Sequence, residues 1–267
     1  MVETAVDSMR ARICSILQGR SLSLYLLGSV TLNDYRPGWS DIDLLCLTGQ
    51  SLPGAQAEEL LHLRQTLVQE TSDPVYRLFE GGFLSVRAFQ THMPDTVVYW
   101  GTGGQRLTDR YHFDSFSMVQ LQTAGRLLHG DDVRPQFPIP SYANLRNDVI
   151  RHYQTIRQYA VQTDGSLYSC GWLLDVARCL YTLKTGGVIA KTAAGEWALA
   201  QNLCNVPDAM ARTIEVRKNP AAYRDTPSFQ AWAAGLGGDV QAFADVLERE
   251  IALASQADTS FISTQGM

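Results

Sequence analysis

The stretch LLGSVTLNDYRPGWSDIDLLCL, residues 26–47, decides the reading of the fold. It opens on the end of an apolar run, turns at Gly28-Ser29, and after eleven intervening residues reaches Asp41-Ile42-Asp43 at the head of a second apolar run. Acids spaced two apart on a β-strand project from one face, with their Cα atoms about 6.5–7 Å apart. Two such carboxylates repel and raise each other's pKa unless a cation lies between them. A hard divalent ion with oxygen ligands, Mg2+, meets that need and brings phosphate oxygens with it. A bare Asp-x-Asp is most often a pair of incidental acids on an exposed strand, but here a Gly-Ser turn precedes it. Glycine lets a backbone amide approach a phosphate closely, and the serine hydroxyl adds a donor. The compound pattern suits a nucleoside triphosphate resting on Gly28 and Ser29, with Asp41 and Asp43 as metal ligands, a layout for moving a nucleotidyl group.

Outward from this stretch, residues 22–27 read as one strand. Residues 41–47 read as another, with Ile42 and Leu44 on its buried face and Asp41, Asp43 and Leu45 on the other. Val6, Met9, Ile13, Ile16 and Leu17 recur at helical spacing within residues 3–19, and Leu60, Leu63 and Leu67 do so in a later helix. DPVYRLFEGGFLSVRAF, residues 73–89, reads as two short β pieces broken at Gly81-Gly82. The prolines of HGDDVRPQFPIPS, residues 129–141, read as a linker, which divides the chain into domains at 1–145 and 146–267. Beyond it the pattern is helical. Val149, Tyr153, Ile156 and Ala160 form one stripe, and Trp172, Val176, Leu180 and Leu183 a second that stops at Gly186-Gly187. Val240, Phe243, Leu247 and Ile251 form a third.

Composition narrows the field of functions. With 45% apolar and 18% charged residues in 267, the chain has an ordinary globular make-up. A net charge of -5 argues against a nucleic-acid partner and favours one that is small or cationic. No run of apolar residues is long enough to span a membrane, and the N-terminus lacks the layout of a signal peptide, so a soluble cytoplasmic protein is expected. The five cysteines are spread without a C-x-x-C pair and read as core fillers, and the five histidines show no metal-ligand spacing.

The pattern hydrophobic-Gly-Ser, a gap, then Asp-hydrophobic-Asp resembles that of nucleotidyltransferases of the DNA polymerase β type. DVARCLYTLKTGGVIAKTAAGEWAL, residues 175–199, is similar to the helical-domain segment of the streptomycin and spectinomycin adenylyltransferases. The resemblance implies an α+β fold: a nucleotidyltransferase domain with a small mixed sheet and helices on one face, followed by an all-α helical bundle. It further implies ATP as co-substrate and Mg2+ as cofactor. Asp41 and Asp43 would be catalytic metal ligands, Glu80 the general base, and Gly28, Ser29, Ser40, Arg178 and Lys191 the triphosphate contacts. Asp73 and Asp95 are rivals for the base. For Arg178 there is an independent argument, since a guanidinium among apolar helix neighbours needs a counter-charge. Asp175, three residues earlier on the same helix, is the alternative source of that counter-charge.

The acceptor is less legible. DGSLYSCGW, residues 164–172, offers Asp164, Tyr168 and Trp172 but no cluster of acids, which argues against streptomycin itself. Trp39, Trp100, Tyr168 and Trp172 are the candidate acceptor contacts, although a tryptophan is more often core. The implied activity is Mg2+-dependent transfer of AMP from ATP to a hydroxyl of a small, cationic, aminoglycoside-like molecule, with release of pyrophosphate. Two alternatives stay open: nucleotidyl transfer to a protein side chain, and a nucleotide-binding regulator without turnover.

Overall fold

The computed structural model describes residues 2–265. The chain forms two compact units, one comprising the chain up to Tyr35 with Ser40–Ile139, the other Arg36–Trp39 with the chain from Pro140 onward.

The first unit runs α1 (Val2–Ile16), β1 (Leu22–Leu26), the single turn α2 (Gly28–Thr31), β2 (Ile42–Thr48), α3 (Gly54–Thr71), β3 (Phe79–Ser85), α4 (Val86–Thr91), β4 (Val97–Gly101), β5 (Gly104–Thr108), α5 (Ser115–Ala124) and β6 (Arg126–His129). Among the described residues these strands form one six-stranded sheet in the order β5-β4-β3-β2-β1-β6. β2 and β3 pair in parallel, with α3 as the crossover between them, and the other neighbours are antiparallel.

Leu44–Leu47 is an unbroken apolar run, the signature of a strand covered on both faces. Ile42, Leu44 and Cys46 join Phe79, Phe83 and Trp100 in a core that includes Met9 and Ile13 of α1 and Leu60 and Leu63 of α3. Leu45 and Leu47 join Tyr25, Leu84 and Val97 in a second core with Phe89 of α4, Leu121 of α5 and Phe137. The expectation of helices on one face is therefore corrected: α1 and α3 cover one face, while α4, α5 and the Phe137 segment cover the other.

Two further expectations change. Residues 73–89 are not two β pieces broken by glycine; Pro74–Leu78 is a 3-10 turn, and β3 runs continuously through Gly81 and Gly82. The proline-dense segment is not a loose linker either. Tyr25 Oη accepts from the Val133 amide at 2.7 Å and donates to Asp132 at 3.1 Å, and Phe137 is buried, so the segment is bound to the first unit up to Ile139.

The second unit contains α6 (Tyr142–Tyr159), α7 (Leu167–Thr185), α8 (Lys191–Ala200), α9 (Pro207–Lys218), α10 (Pro227–Ala234) and α11 (Gly237–Gln265). Ser141 and Asn144 make a capping box that starts α6, which is why the helical unit begins at Pro140. Gly186, at φ 72°, ends α7 in the left-handed conformation that glycine adopts without strain. Val149 and Ile156, Val176 and Leu180, and Val240, Phe243 and Leu247 are buried, so the three apolar stripes are core. No helix among the described residues is long and apolar enough to cross a membrane.

Candidate active site

In the first unit the parallel register places Asp43 of β2 opposite Glu80 of β3. Both are half-buried, on the face that also carries Leu45 and Leu84. The Leu27 amide donates to the Asp43 carbonyl at 2.9 Å, which brings the Gly28 turn beside Asp43. Gly28 has φ +66°, and a Cβ there would stand 1.9 Å from Asp43 Oδ2. Only glycine leaves the carboxylate where it is. Asp41 lies just ahead of β2 rather than in it, and the Ser29 hydroxyl is 3.5 Å from its carbonyl oxygen. Ser40 is buried beside it.

Glu80 Oε1 accepts from the Thr102 hydroxyl at 2.6 Å. The Tyr111 ring lies against Gly82, where a Cβ would come within 2.7 Å of it, and the Tyr99 ring centroid is 6.3 Å away. Arg106 stacks its guanidinium 4.2 Å above Tyr99. Burial, and then the negative charge of Asp43, push the Tyr111 hydroxyl up from its ordinary range. Tyr111 therefore stays protonated and can act as a neutral donor beside the carboxylates. From α3, buried Arg64 donates to the Phe79 carbonyl at 2.8 Å and to Gln105 Oε1 at 3.0 Å, which ties β3 and β5 to the helix.

The rival acids have structural duties. Asp73 accepts from the Val75 amide at 2.9 Å and caps the 3-10 turn. Asp95 accepts from the amides of Ser85 and Thr96, each at 2.8 Å. For a metal, the expected donors are the carboxylate oxygens of Asp41 and Asp43, a set that would suit a hard cation, and the Asp43 carboxylate lies directly against the Gly28 turn. Among the described residues no group of three or more His, Cys, Asp and Glu side chains is gathered to hold an ion. The two aspartates would share a cation with a ligand's own oxygens, as Mg2+ is commonly held.

Trp100, expected as an acceptor contact, is core instead. It is fully buried, donates its indole N–H to the Leu60 carbonyl at 3.1 Å and meets Phe83 edge-on at 4.5 Å. Its register opposite Gly81 turns it toward α3, which its sequence neighbourhood could not indicate. Trp100→Ala should cost about 3–5 kcal/mol of stability in urea unfolding. A loss under about 1 kcal/mol would contradict this placement.

In the second unit, Asp175 and Arg178 of α7 meet Lys191, the first residue of α8. Lys191 Nζ is 2.9 Å and Arg178 Nη2 3.3 Å from the same Asp175 Oδ1. Of the two partners raised for Arg178, the structure shows Asp175, and Lys191 pairs with the same oxygen. Burial works to raise the Asp175 pKa, but Lys191 and Arg178 outweigh it and hold the carboxyl below its usual range. Trp39 lies under the guanidinium of buried Arg217 at 5.1 Å, and Arg217 Nε donates to the Thr192 hydroxyl at 3.2 Å. Tyr168 is 63% exposed at the start of α7, and Trp172 is half-buried one turn on. Asp164 is engaged in its own turn, where hydrogen bonds from Ser166, hydroxyl first and then amide, hold its carboxyl below the ordinary range.

Sequence reasoning missed Thr102, Tyr99 and Tyr111. VVYWGTGGQRLT, residues 97–108, carries a hairpin signal in its glycines, and that hairpin delivers Thr102 to Glu80. Tyr111 has no local signal of this kind.

Residues 6–76 match the nucleotidyltransferase domain, and residues 139–250 match the aminoglycoside adenylyltransferase C-terminal domain. The fold is similar to that in the crystal structure of spectinomycin adenyltransferase AAD(9) from Enterococcus faecialis with ATP and spectinomycin. The TM-score is 0.63 at 14% identity, over 90% of this chain and 97% of that one. No curated protein matches the chain in sequence.

Proposed function

We propose that this chain, whose two halves match the nucleotidyltransferase domain and the aminoglycoside adenylyltransferase C-terminal domain, transfers AMP from ATP to a hydroxyl of a small, cationic, aminoglycoside-like acceptor. The observation that carries this reading is the register of Asp43 against Glu80 beside the Gly28 turn. The residues read as metal ligand and base are thereby neighbours on one sheet face, with the turn read as phosphate-binding beside them.

Asp41 and Asp43 would hold Mg2+, which when bound supplies charge neutralisation at the α phosphate. Glu80 takes the proton from the acceptor hydroxyl as that oxygen bonds to the α phosphorus. The bond from the α phosphorus to its bridging oxygen breaks, and pyrophosphate leaves with the electron pair. Thr102 donates to Oε1 of Glu80 and so orients the carboxylate for this transfer. Gly28, Ser29 and Ser40, with Arg178 and Lys191, bind the triphosphate, and Tyr168 and Trp172 are the aromatic contacts offered to the acceptor. Catalysis rests on positioning and on fixed charges, with no covalent intermediate on the protein.

The test is pyrophosphate release from ATP and Mg2+ across a panel of aminoglycosides, spectinomycin and lincosamides, with EDTA as control. Acceptor-dependent release that EDTA abolishes is the expected result. Measurable ATP binding with no release for any acceptor would overturn the proposal in favour of a regulator.

A further inference from the structure

Asp175 has no part in the proposed chemistry, yet it sits on the two cations assigned to the triphosphate. Its Oδ1 receives Lys191 Nζ at 2.9 Å and Arg178 Nη2 at 3.3 Å. Lys191 opens α8, whose N-cap, Ala190, supplies no side-chain hydrogen bond. The first turn of α8 therefore presents its amides and the positive end of the helix dipole. A lysine is unfavourable at that end and an anion is favourable. The Asp175 carboxylate offsets the unfavourable charge of Lys191 there and that of Arg178 together.

We infer that Asp175 is a resident counter-anion, which a triphosphate must displace from Arg178 and Lys191 and which recaptures both cations as pyrophosphate departs. The inference rests on the reading of Arg178 and Lys191 as triphosphate ligands. Two roles of opposite sign compete at Asp175. As an orienting group it would tighten ATP binding by holding two long side chains in place. As a competing anion it weakens binding, because its charge is fixed within reach of the same nitrogens that the phosphates need.

The side chains of Arg178, Asp175 and Lys191 are 20%, 24% and 30% exposed. Ordering a partly solvated pair contributes little. Repulsion between one fixed carboxylate and a polyphosphate grows with each phosphate charge, so the competing role wins. His152 also bears on Asp175, and its charged form favours the ionised carboxylate in the same direction as Lys191 and Arg178.

Asp175→Asn keeps the shape and removes the charge. The expected result is a fall of about tenfold in KM for ATP and in Ki for pyrophosphate. The Kd of a fluorescent ATP analogue, measured without acceptor, should fall in parallel. Asp175→Glu should restore wild-type values. Unchanged or raised constants in Asp175→Asn would overturn the inference. Should that variant melt early, Asp175→Ser carries the same expectation and the same refutation. Arg178→Ala and Lys191→Ala separate the two levels. If neither weakens ATP binding, the triphosphate reading fails; if both do while Asp175→Asn does not tighten it, only the counter-anion fails.

Discussion

Asp43→Asn is expected to lower nucleotidyl transfer by about a hundred- to a thousandfold, the scale on which removing a single preorganised charge or donor acts. The fold should survive, because asparagine has the shape of aspartate and the backbone bond from Leu27 to the Asp43 carbonyl does not involve the side chain. Asp43 and Glu80 are like charges at paired positions of neighbouring strands, an arrangement that costs stability. Neutralising one relieves that repulsion, so the melting temperature should hold or rise while activity disappears. Gain of stability on loss of function is common at catalytic sites. Thermal melting beside the pyrophosphate assay checks both halves. A folded Asp43→Asn protein with near-wild-type turnover would remove Asp43 from the site.

The second large effect is on the scaffold. Gly81→Ala should cost about 3 kcal/mol or more, a large share of a domain's usual stability, and lower the melting temperature by about 10 °C. Gly81 lies in the middle of the sheet, paired with Leu44 on one side and Trp100 on the other. Its φ is +147°, and a Cβ would stand 1.8 Å from the Leu44 carbonyl oxygen. That oxygen is backbone and cannot swing away, so β3 would have to part from β2, and Glu80 would move with it. Gly103 serves as the control, since a Cβ there meets nothing within 4 Å; Gly103→Ala should stay within about 0.5 kcal/mol of wild type. A Gly81→Ala protein melting with the wild type would show that the sheet has room the geometry denies.

What could be read from the sequence was local in origin. Gly28-Ser29 followed by Asp41-x-Asp43, the helical stripes of the second half and the stop at Gly186 all rest on periodicity or turn chemistry within a few residues, and neighbours in the chain set those. Leu44–Leu47 also announced a strand covered on both faces, although the expectation of helices on one face only passed over that signal.

The rest depends on which distant segments meet. Nothing near Glu80 indicates that it stands in register with Asp43, or that a hairpin residue, Thr102, hydrogen-bonds to it. Trp100 and Trp39 look alike as exposable aromatics in sequence; pairing of β4 with β3 buries the first, and Arg217 covers the second. Asp175 reads as a simple helix partner of Arg178 until α8 brings Lys191 to the same oxygen. Residue type and spacing determined the chemistry this protein can attempt. Strand register and helix packing, which depend on burying surface between segments far apart in the chain, decided which groups meet to attempt it.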